Sequence, residues 1–354
     1  MEFPEMNWRR IFMTIFWVVA SVVLSFNVRA ADENQRPIFA ITEENDLFSN
    51  PLTADHTDRH YTQGVKLTYR DSDDELPQWV VKASSALPPL WMITRAQNIG
   101  YVFGQNIYTP QDLLTSALIK TDRPYGGWLY GGVFLQRRGD TGDARIPVLE
   151  SFEVDSGVTG PASLAGATQV NFHHWFLASD VPRGWRNQLD TEPGLLLKYE
   201  RLWRLSLNEQ TARYVDLIPH LGAEAGNVMI FGDLGATLRV GVNLPEDFGA
   251  QIIDAPVSLD GGTTPGSSPF SCYAFGGVDG RAVGQNLFLD GNTLHSGPSV
   301  ERIPWVADFT CGVALSLFRH IELSYTRVVR THEFVGQKNS DIFGSLTTKA
   351  MFRF

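Results

Sequence analysis

Three short stretches of the chain combine residue types that can bind a metal ion or transfer a proton. They are Glu43-Glu44-Asn45-Asp46, His60-Tyr61-Thr62-Gln63-Gly64, and residues 171–180, which include Asn171, His173, His174 and Asp180. Each stretch alone has an ordinary explanation, because acids and Asn are common in turns and a histidine on a loop helix is usually structural. Only their convergence would make a reaction site.

Convergence of these stretches would supply the parts of a metal-assisted hydrolase. The carboxylates of Asp46 and Asp180, the amide of Asn45 and the hydroxyl of Thr62 are oxygen ligands of the kind that Ca²⁺ prefers. A nearby His174 would take a proton from water while the ion polarises an ester carbonyl. Because neighbours in a regular strand point to opposite faces, Asn45 and Asp46 can share one site only where the strand ends or bulges.

The elements that must position these residues are strands, because apolar and polar residues alternate along most of the chain. The last segment is clearest: Leu346, Thr348, Ala350, Phe352 and Phe354 alternate with Ser345, Thr347, Lys349, Met351 and Arg353. A period of two indicates a strand with one apolar face. A soluble sandwich could show the same pattern. An exported chain that ends on an aromatic residue of such a strand favours an outer-membrane barrel, whose apolar face meets lipid.

The alternating segments predict an all-β fold, a transmembrane antiparallel β-barrel of about 12 strands. Each is about ten residues long, which suits a tilted strand that crosses a bilayer. The predicted starts lie near Phe39, Tyr61, Gln97, Gly127, Ile146, Pro193, Arg213, Gly232, Phe270, Pro304, His320 and Phe343.

An even number of strands places both chain ends in the periplasm. The loops 46–60, 108–126 and 157–192 then lie outside the cell at one end of the barrel, which brings the three stretches together. Residues 166–178 of the third loop have apolar residues at helical spacing and predict a short helix. Two periplasmic connections are long, 71–96 and 246–269, and the Gly, Pro and Ser of the second are typical of a flexible segment.

The beginning of the chain predicts export. Arg9 and Arg10 precede an apolar run at 11–26, and Val28-Arg29-Ala30 offers a small-residue cleavage site. This arrangement indicates a secretory signal peptide at 1–30 and a barrel domain at 31–354. The alternative is a transmembrane anchor, which usually needs about 20 apolar residues.

Composition excludes several other classes. The chain has 354 residues, of which 43% are hydrophobic and 19% charged, so it is too apolar for a disordered tail. The formal charge of −10 gives no reason to expect a nucleic-acid partner, which would favour a basic face. Two cysteines are too few for a disulfide scaffold or a cysteine metal site.

The strand phase predicts that both cysteines are free thiols. Cys311 shares its face with Phe309 and Val313, which are expected to meet lipid. Cys272 is out of phase with Tyr273 and Phe275, so it is expected to face the lumen if those rings face lipid. Side chains on opposite faces of a sheet cannot form a disulfide.

A series of motifs, in this order and spacing, resembles the lipid A 3′-O-deacylase family of outer membranes. The motifs are Asn45-Asp46, Tyr61-Thr62-x-Gly64, Gln105-Asn106-Ile107-Tyr108-Thr109-Pro110, Asp122-Arg123-Pro124-Tyr125-Gly126-Gly127-Trp128, Gly160-Pro161, Asn171-x-x-His174, Gly184-Trp185-x-Asn187-Gln188, Asp279-Gly280-Arg281 and Phe288-Leu289-Asp290-Gly291-Asn292-Thr293. The resemblance implies a twelve-stranded barrel with its site between the wall and a loop helix. It also implies Ca²⁺-dependent removal of the 3′-linked acyloxyacyl group from lipid A of lipopolysaccharide, similar to hydrolysis by secreted phospholipase A2.

The resemblance also implies roles for particular residues. His174 matches the water-activating base, and Asn45, Asp46 and Thr62 match the other catalytic positions, with Asp46 as a metal ligand. Asp180 follows His174 by six residues, where the family can have a glutamate, and is expected to be a metal ligand or an orienting carboxylate. The implied partners are lipid A and the lipid of the outer membrane.

The chain departs from the family pattern at two places. Val170 stands where a glutamine often precedes the Asn-x-x-His pattern. Gln111-Asp112 replaces a Lys-Arg pair that some members have, and Lys120 and Arg123 are the nearest basic residues. Because phosphates favour basic partners, the loss of the Lys-Arg pair is expected to affect which lipid head group the protein binds.

Two other interpretations remain at this point. A phospholipase-like serine hydrolase would need a serine, a histidine and an orienting group. The chain has no Gly-x-Ser-x-Gly, but Ser324 and His320 are candidates. A barrel without enzymatic activity, or a narrow channel, is the second, because large lumen side chains can fill a twelve-stranded barrel.

Overall fold

The computed structural model describes residues 37–49, 59–72, 76–78, 80–82, 92–143, 145–174, 181–208, 210–259, 268–318 and 320–351. The predicted signal peptide and the terminal Phe354 lie outside these ranges. Twelve antiparallel strands of the described chain form a closed barrel, in which β1 pairs with β12. The strands are β1 (Ile38–Asn45), β2 (His60–Arg70), β3 (Ile93–Thr109), β4 (Gly126–Asp140), β5 (Pro147–Thr159), β6 (Pro193–Trp203), β7 (Val215–Gly226), β8 (Met229–Val242), β9 (Phe270–Asn286), β10 (Trp305–Leu317), β11 (Ile321–Arg330) and β12 (Asp341–Met351).

The predicted number and order of strands are confirmed. Every predicted start falls within four residues of the observed one, and the largest difference is at β3, which begins at Ile93. The facing of the last strand is also confirmed. Thr347 and Lys349 are buried inside the barrel, whereas Leu346 and Thr348 alternate with them and point outward.

Hydrophobic side chains cover the outside of the barrel and polar side chains fill the inside. Phe103, Leu234, Val240 and Phe309 are among the exposed residues, and Leu234 is 68% exposed. This is the reverse of a soluble protein, and it is the distribution expected when the outer surface meets lipid. Among the described helices, none has the length and apolar content that a membrane span requires.

The three loops expected outside the cell emerge at the same end of the barrel, here called the outer end. The third loop contains helix α1 (Ala165–Phe172), which begins one residue before the predicted start. Leu164, in the left-handed backbone region at φ 60°, precedes the helix and ends a short turn that contains Pro161. Residues 175–178, the end of the predicted helix, lie outside the described part of the chain. A second helix, α2 (Leu287–Asp290), follows β9.

The connection after β8 is predicted to be a long, flexible periplasmic loop, but most of the Gly, Pro and Ser residues that carry this prediction, at 261–267, lie outside the described part of the chain. Residues 243–259, here called the lumen segment, fold into the barrel. The backbone N–H of Ile253 donates to Glu44 Oε1 at 2.7 Å, and that of Val257 donates to Glu153 Oε2 at 2.8 Å. Val257 and Leu259 are fully buried. The segment uses carboxylates of the wall to satisfy its backbone, an interaction that composition alone does not reveal.

Buried ion pairs anchor the lumen segment to the wall. Asp254 Oδ2 accepts from Arg330 at 2.6 Å and from Arg281 at 3.4 Å. Arg239, which is fully buried, binds Asp247 of the segment and Asp216 of β7. Buried charges are costly unless they are paired, so the segment completes the charge balance of the lumen.

Aromatic side chains fill the lumen near the outer end. The ring of Tyr61 lies 5.5 Å from that of Tyr108 and 4.9 Å from that of Phe343, and Tyr108 stacks on Phe288 at 4.1 Å. Val257 and Leu259 of the lumen segment belong to the same hydrophobic cluster as these rings. The described interior therefore does not favour the interpretation of the barrel as a water-filled channel.

The prediction of two free cysteines is confirmed, but the predicted facing of Cys272 is wrong. Both thiols are free and exposed, and Tyr273, not Cys272, is buried in the lumen. The Tyr273 ring packs there under the guanidinium of Arg239, so an aromatic residue that looks suited to lipid lies inside. Cys272 pairs with Leu315 across the β9–β10 ladder. That partner is four residues, roughly 13 Å along the strand, from Cys311.

We predict that thiol labelling will show that Cys311 faces lipid. Denatured, unreduced protein should label at both. In folded protein in bilayers, a charged maleimide should not label Cys311, because Cys311 lies mid-strand on the lipid face, where the reagent is excluded and the reactive thiolate does not form. Cys272→Ser and Cys311→Ser variants assign each signal, and rapid labelling of Cys311 by the charged reagent would contradict the facing.

We predict that Asp254→Asn destabilises the barrel by about 2 kcal/mol, because the buried side chains of Arg330 and Arg281 lose a carboxylate that they share and keep only their other partners. The measurement is unfolding in urea, followed by heat-modifiable migration on gels. Asp143→Asn is the matched control, because Asp143 pairs with exposed Arg145 in a turn and should show no measurable change. Equal stability of the two variants would mean that the lumen segment is not anchored through Asp254.

Candidate active site

Asn45 and Asp46 lie where β1 ends at the outer end of the barrel. A single helical turn begins at Asp46, and Asn45 Oδ1 accepts the N–H of Leu47 at 2.9 Å. Asp46 Oδ2 accepts the N–H of Arg59 at 2.8 Å. The strand therefore stops between the two residues, which meets the condition under which both can serve one site.

Thr62 lies in a bulge of β2. Tyr61 pairs with Tyr108 and Gln63 with Ile107, so the register shifts at Thr62. A bulge re-aims a side chain, and Thr62 Oγ1 lies 2.7 Å from Thr109 Oγ1.

The glycine of the same motif makes room inside the barrel. A Cβ on Gly64 would lie 2.2 Å from the Tyr61 hydroxyl, which donates to Glu44 Oε2 at 2.9 Å. Glu44 in turn accepts from the lumen segment. The motif therefore connects the lumen packing to the position of Thr62.

Asn45, Asp46, Thr62 and Thr109, here called the wall cluster, belong to the outward face of the barrel wall. Asn45 is in phase with exposed Ile41, and Thr109 is in phase with exposed Phe103. Asn45 pairs with Gln63, the residue after Thr62, so these side chains lie on neighbouring strands. Asn45, Asp46, Thr62 and Thr109 are all at most 5% exposed, although they lie outside the lumen.

Helix α1 packs on the same outward face, over β3 and β4. Gln105 Nε2 of β3 donates to the carbonyl of Ser163, just before the helix, at 2.6 Å. On β4, a Cβ on Gly127 would lie 2.2 Å from the Cβ of Ala165, so this glycine permits close approach of the helix. Ile107 and Val170 join the hydrophobic cluster between helix and wall.

The Gly-Trp-x-Asn-Gln motif supports helix α1. Trp185 Nε1 donates to Gln169 Oε1 of the helix at 2.8 Å, and its ring lies 4.9 Å from that of Tyr125. A Cβ on Gly184 would lie 2.3 Å from the Tyr125 ring. Tyr125 comes from the Asp-Arg-Pro-Tyr-Gly-Gly-Trp motif, so these two motifs together hold the helix.

The loop after β9 fixes the end of the third outer loop. Asn292 exchanges two hydrogen bonds with the backbone of Asp190, and Glu192 accepts from the hydroxyl and N–H of Thr293 and from the N–H of Leu294. Burial opposes ionisation of Glu192, but these hydrogen bonds hold its pKa below the ordinary value. The Asn-Thr of the last motif is thus a structural tether.

The two histidines of the third loop differ in environment. His173 is 4% exposed, whereas His174 is exposed; both follow helix α1. Among the described residues, no hydrogen bond joins His174 to Asn45, Asp46 or Thr62. Asp180 lies outside the described residues. The structure therefore groups the three wall residues and places the helix on the adjoining strands.

One departure from the family pattern, Val170, has a structural role, and of the basic residues near the other departure one is buried. Val170 packs in the cluster below the helix, and Gln169 beside it binds Trp185. Arg123 is buried, with its Nη1 3.1 Å from Glu333 Oε2, and its guanidinium lies over Tyr108. Of the two basic residues near the missing Lys-Arg pair, only Lys120 is exposed.

His60 has a structural role that the sequence does not reveal. Its Nδ1 lies 2.6 Å from Asp341 Oδ1 and its Nε2 lies 3.3 Å from Asp122 Oδ1. The residue is held at φ 61°, a costly conformation for a non-glycine residue. Burial raises the pKa of Asp122, but hydrogen bonds from His60 and nearby N–H groups outweigh it and hold that pKa below the ordinary value. His60 therefore ties β2 to the second outer loop and to β12.

Ser324 and His320 do not form a nucleophile and base. Ser324 is buried on the lumen side of β11, and His320 precedes that strand by one residue. Four residues of strand separate them by roughly 13 Å, well beyond hydrogen-bond reach. The described structure gives no support to this serine hydrolase pair.

Comparison with known proteins places this geometry in a family. The profile of the family described as outer membrane protein LpxR matches residues 15–352. The solved structure of LpxR from Salmonella typhimurium is similar with a TM-score of 0.68 and 19% identity, over 89% of this chain and 100% of that one. The translocator domain of autotransporter NalP from Neisseria meningitidis has a TM-score of 0.44 and 9% identity, over 96% and 95% of the two chains. The comparison with curated proteins gave no match.

The solved LpxR structure shows the same fold, a closed barrel of antiparallel strands. The family match covers all of the described residues, including β1, β2 and β3, which carry Asn45, Thr62 and Thr109. The predicted location in the outer membrane is confirmed by this match. Because the profile extends over most of its length, the chain belongs to the LpxR family of outer membrane proteins.

Proposed function

We propose that this protein hydrolyses the ester that holds the 3′-linked acyloxyacyl group on lipid A, in a Ca²⁺-dependent reaction with His174 as the base. The observation that carries the proposal is the polar cluster on the outward face of the wall beside helix α1. Lipid on that side of the barrel would reach the cluster without entering the lumen. The family match supports a lipid A deacylase.

The position of the cluster suits a lipid substrate. Below it, the outward face of β3 carries Phe103 and Tyr101, which are exposed and would lie against acyl chains. At the level of the cluster, the outward-pointing side chains are polar, namely Asn45, Thr62 and Thr109, and the surrounding chain leaves them at most 5% exposed. An ester between acyl chain and sugar lies at this kind of boundary, where apolar and polar surfaces meet.

The donor set fits Ca²⁺. Asp46 supplies a carboxylate, and Asn45 and Thr62 supply an amide and a hydroxyl, all of which are oxygen donors. Asp180 would add a second carboxylate. When bound, Ca²⁺ would polarise the ester carbonyl and stabilise negative charge on its oxygen.

The protein's own side chains would transfer the protons. His174 would accept a proton from water as the water oxygen attacks the carbonyl carbon. It would then give that proton to the sugar oxygen as the ester bond breaks, which releases a fatty acid and a free hydroxyl. Asn45 Oδ1 accepts the N–H of Leu47 with one lone pair, so its second lone pair would face the ion and its Nδ2 group would donate a hydrogen bond to the substrate.

We predict that His174→Ala lowers deacylation by about 10²- to 10⁴-fold, the usual contribution of a general base, while the barrel still folds. The measurement is mass spectrometry of lipid A after incubation with purified protein. His173→Ala is the matched control and should cost less activity. If the two effects were reversed, the base would be His173 and Asp180 would lose its proposed role.

We predict that Asp46→Ala removes activity and that added Ca²⁺ restores it at most in part, because loss of a carboxylate weakens a site for a hard cation. Asp143→Ala is the control, since Asp143 pairs with exposed Arg145 in the β4–β5 turn at the opposite end of the barrel. Fatty acid release is measured across a Ca²⁺ titration and in excess chelator. Full wild-type activity in chelator would refute the metal mechanism.

A further inference from the structure

We propose that the lumen contains a second, separate metal site, formed by His220, Asp233, Asp279 and Glu200 and suited to a transition-metal ion such as Zn²⁺. These residues come from four consecutive strands, β6 to β9. They line one cavity of about 110 Å³ between the wall and the lumen segment. The cavity is on the opposite side of the wall from the candidate active site.

Three of the four residues already have the spacing of metal ligands. Ligand atoms of His220, Asp233 and Asp279 all lie within 4.8 Å of one another. His220 Nε2 is 3.0 Å from Asp279 Oδ2 and 4.0 Å from Asp233 Oδ2. Tetrahedral zinc with bonds of about 2.0–2.1 Å separates its ligand atoms by roughly 3.4 Å, a value between these two distances.

Glu200 adds a third carboxylate to the same cavity. It is 6% exposed, and its Oε2 is buried without a hydrogen-bond partner. A buried carboxylate oxygen without a partner is expensive, and this one lines the same cavity. Glu200 pairs with Gly222, which in turn pairs with Asp233, so the two carboxylates lie across a single intervening strand.

Two glycines make room for the cluster. A Cβ on Gly222 would lie 2.5 Å from Asp233 Oδ1. A Cβ on Gly235, which lies between His220 and Asp279 in the ladder, would lie 2.6 Å from His220 Nε2. The His220 and Asp233 side chains have room at these two lumen-facing positions only because glycine has no side chain.

The local charges favour a cation. Arg281 Nε donates to Asp279 Oδ1 at 3.0 Å, which leaves Oδ2 on the side of His220. The other guanidinium nitrogens of Arg281 bind Asp254 and Asp308. Within the described structure, no lysine or arginine forms a salt bridge with Asp233 or Glu200. An imidazole among carboxylates selects zinc or a similar ion over Ca²⁺, which prefers oxygen ligands alone.

The experiment measures Zn²⁺ binding to the purified full-length protein in detergent after chelator treatment and dialysis. Isothermal titration with Zn²⁺ alone should give one site per chain, and Zn²⁺ should raise the unfolding temperature. His220→Ala should weaken binding at least ~100-fold, because loss of an outer-shell partner alone already costs 10–100-fold. The isosteric variants Glu200→Gln and Asp233→Asn should also weaken it and remove the rise in unfolding temperature.

Two controls separate this site from others. His332→Ala changes an exposed histidine of the last outer loop and should leave Zn²⁺ binding unchanged. His174→Ala should also leave it unchanged, because His174 belongs to the proposed Ca²⁺-dependent site. Absence of Zn²⁺ binding in the wild type would overturn the proposal. Equal binding by the wild type, His220→Ala and Glu200→Gln would overturn it too, because the ion would then lie elsewhere.

Discussion

Backbone hydrogen bonding in an apolar medium is the constraint on which the rest of this structure depends. Lipid offers no partner to an N–H or C=O group, so the sheet must close on itself and pair every strand. Closure directs alternate side chains into the lumen, where polar groups then need partners of their own. Arg239, Arg281 and Arg330 are buried there, and the lumen segment supplies Asp247 and Asp254 to two networks that they form. The segment is therefore part of the barrel and not an appendage.

Alternation made the fold predictable from the sequence, since it reports which face of a strand meets lipid. The prediction of facing from alternation failed where an aromatic side chain packs inside the lumen. Tyr273 looks like a lipid-facing ring, but it packs under Arg239 and so reverses the expected facing of Cys272. The position of the lumen segment was not predictable either, because nothing in residues 243–259 indicates the wall carboxylates, such as Glu153, that accept hydrogen bonds from its backbone.

The candidate site was predictable in part. The end of β1 between Asn45 and Asp46 followed as a geometric condition for a shared site, and the structure meets it. The bulge at Thr62 could not be predicted, because it depends on the register with β3. The remaining family motifs had no role assigned from the sequence, and in the structure several of their residues hold loops together. Trp185, for example, donates a hydrogen bond to Gln169 of the helix. This contact joins two parts of the loop that are distant in sequence, so the sequence alone does not indicate it.

The seam between β1 and β12 has a consequence for the way the barrel is assembled. It joins the two ends of the sheet, and the hydroxyls of Thr42 and Thr347 meet across it although they are 305 positions apart. Contacts between such distant positions form slowly because the intervening chain must lose entropy first. Glu44 also lies on β1, and its side chain accepts a hydrogen bond from the backbone N–H of Ile253, 209 positions away. Closing the seam and seating the lumen segment are therefore expected to be coupled late steps of assembly, so a chain arrested with an open β1 edge would also have an unfilled interior.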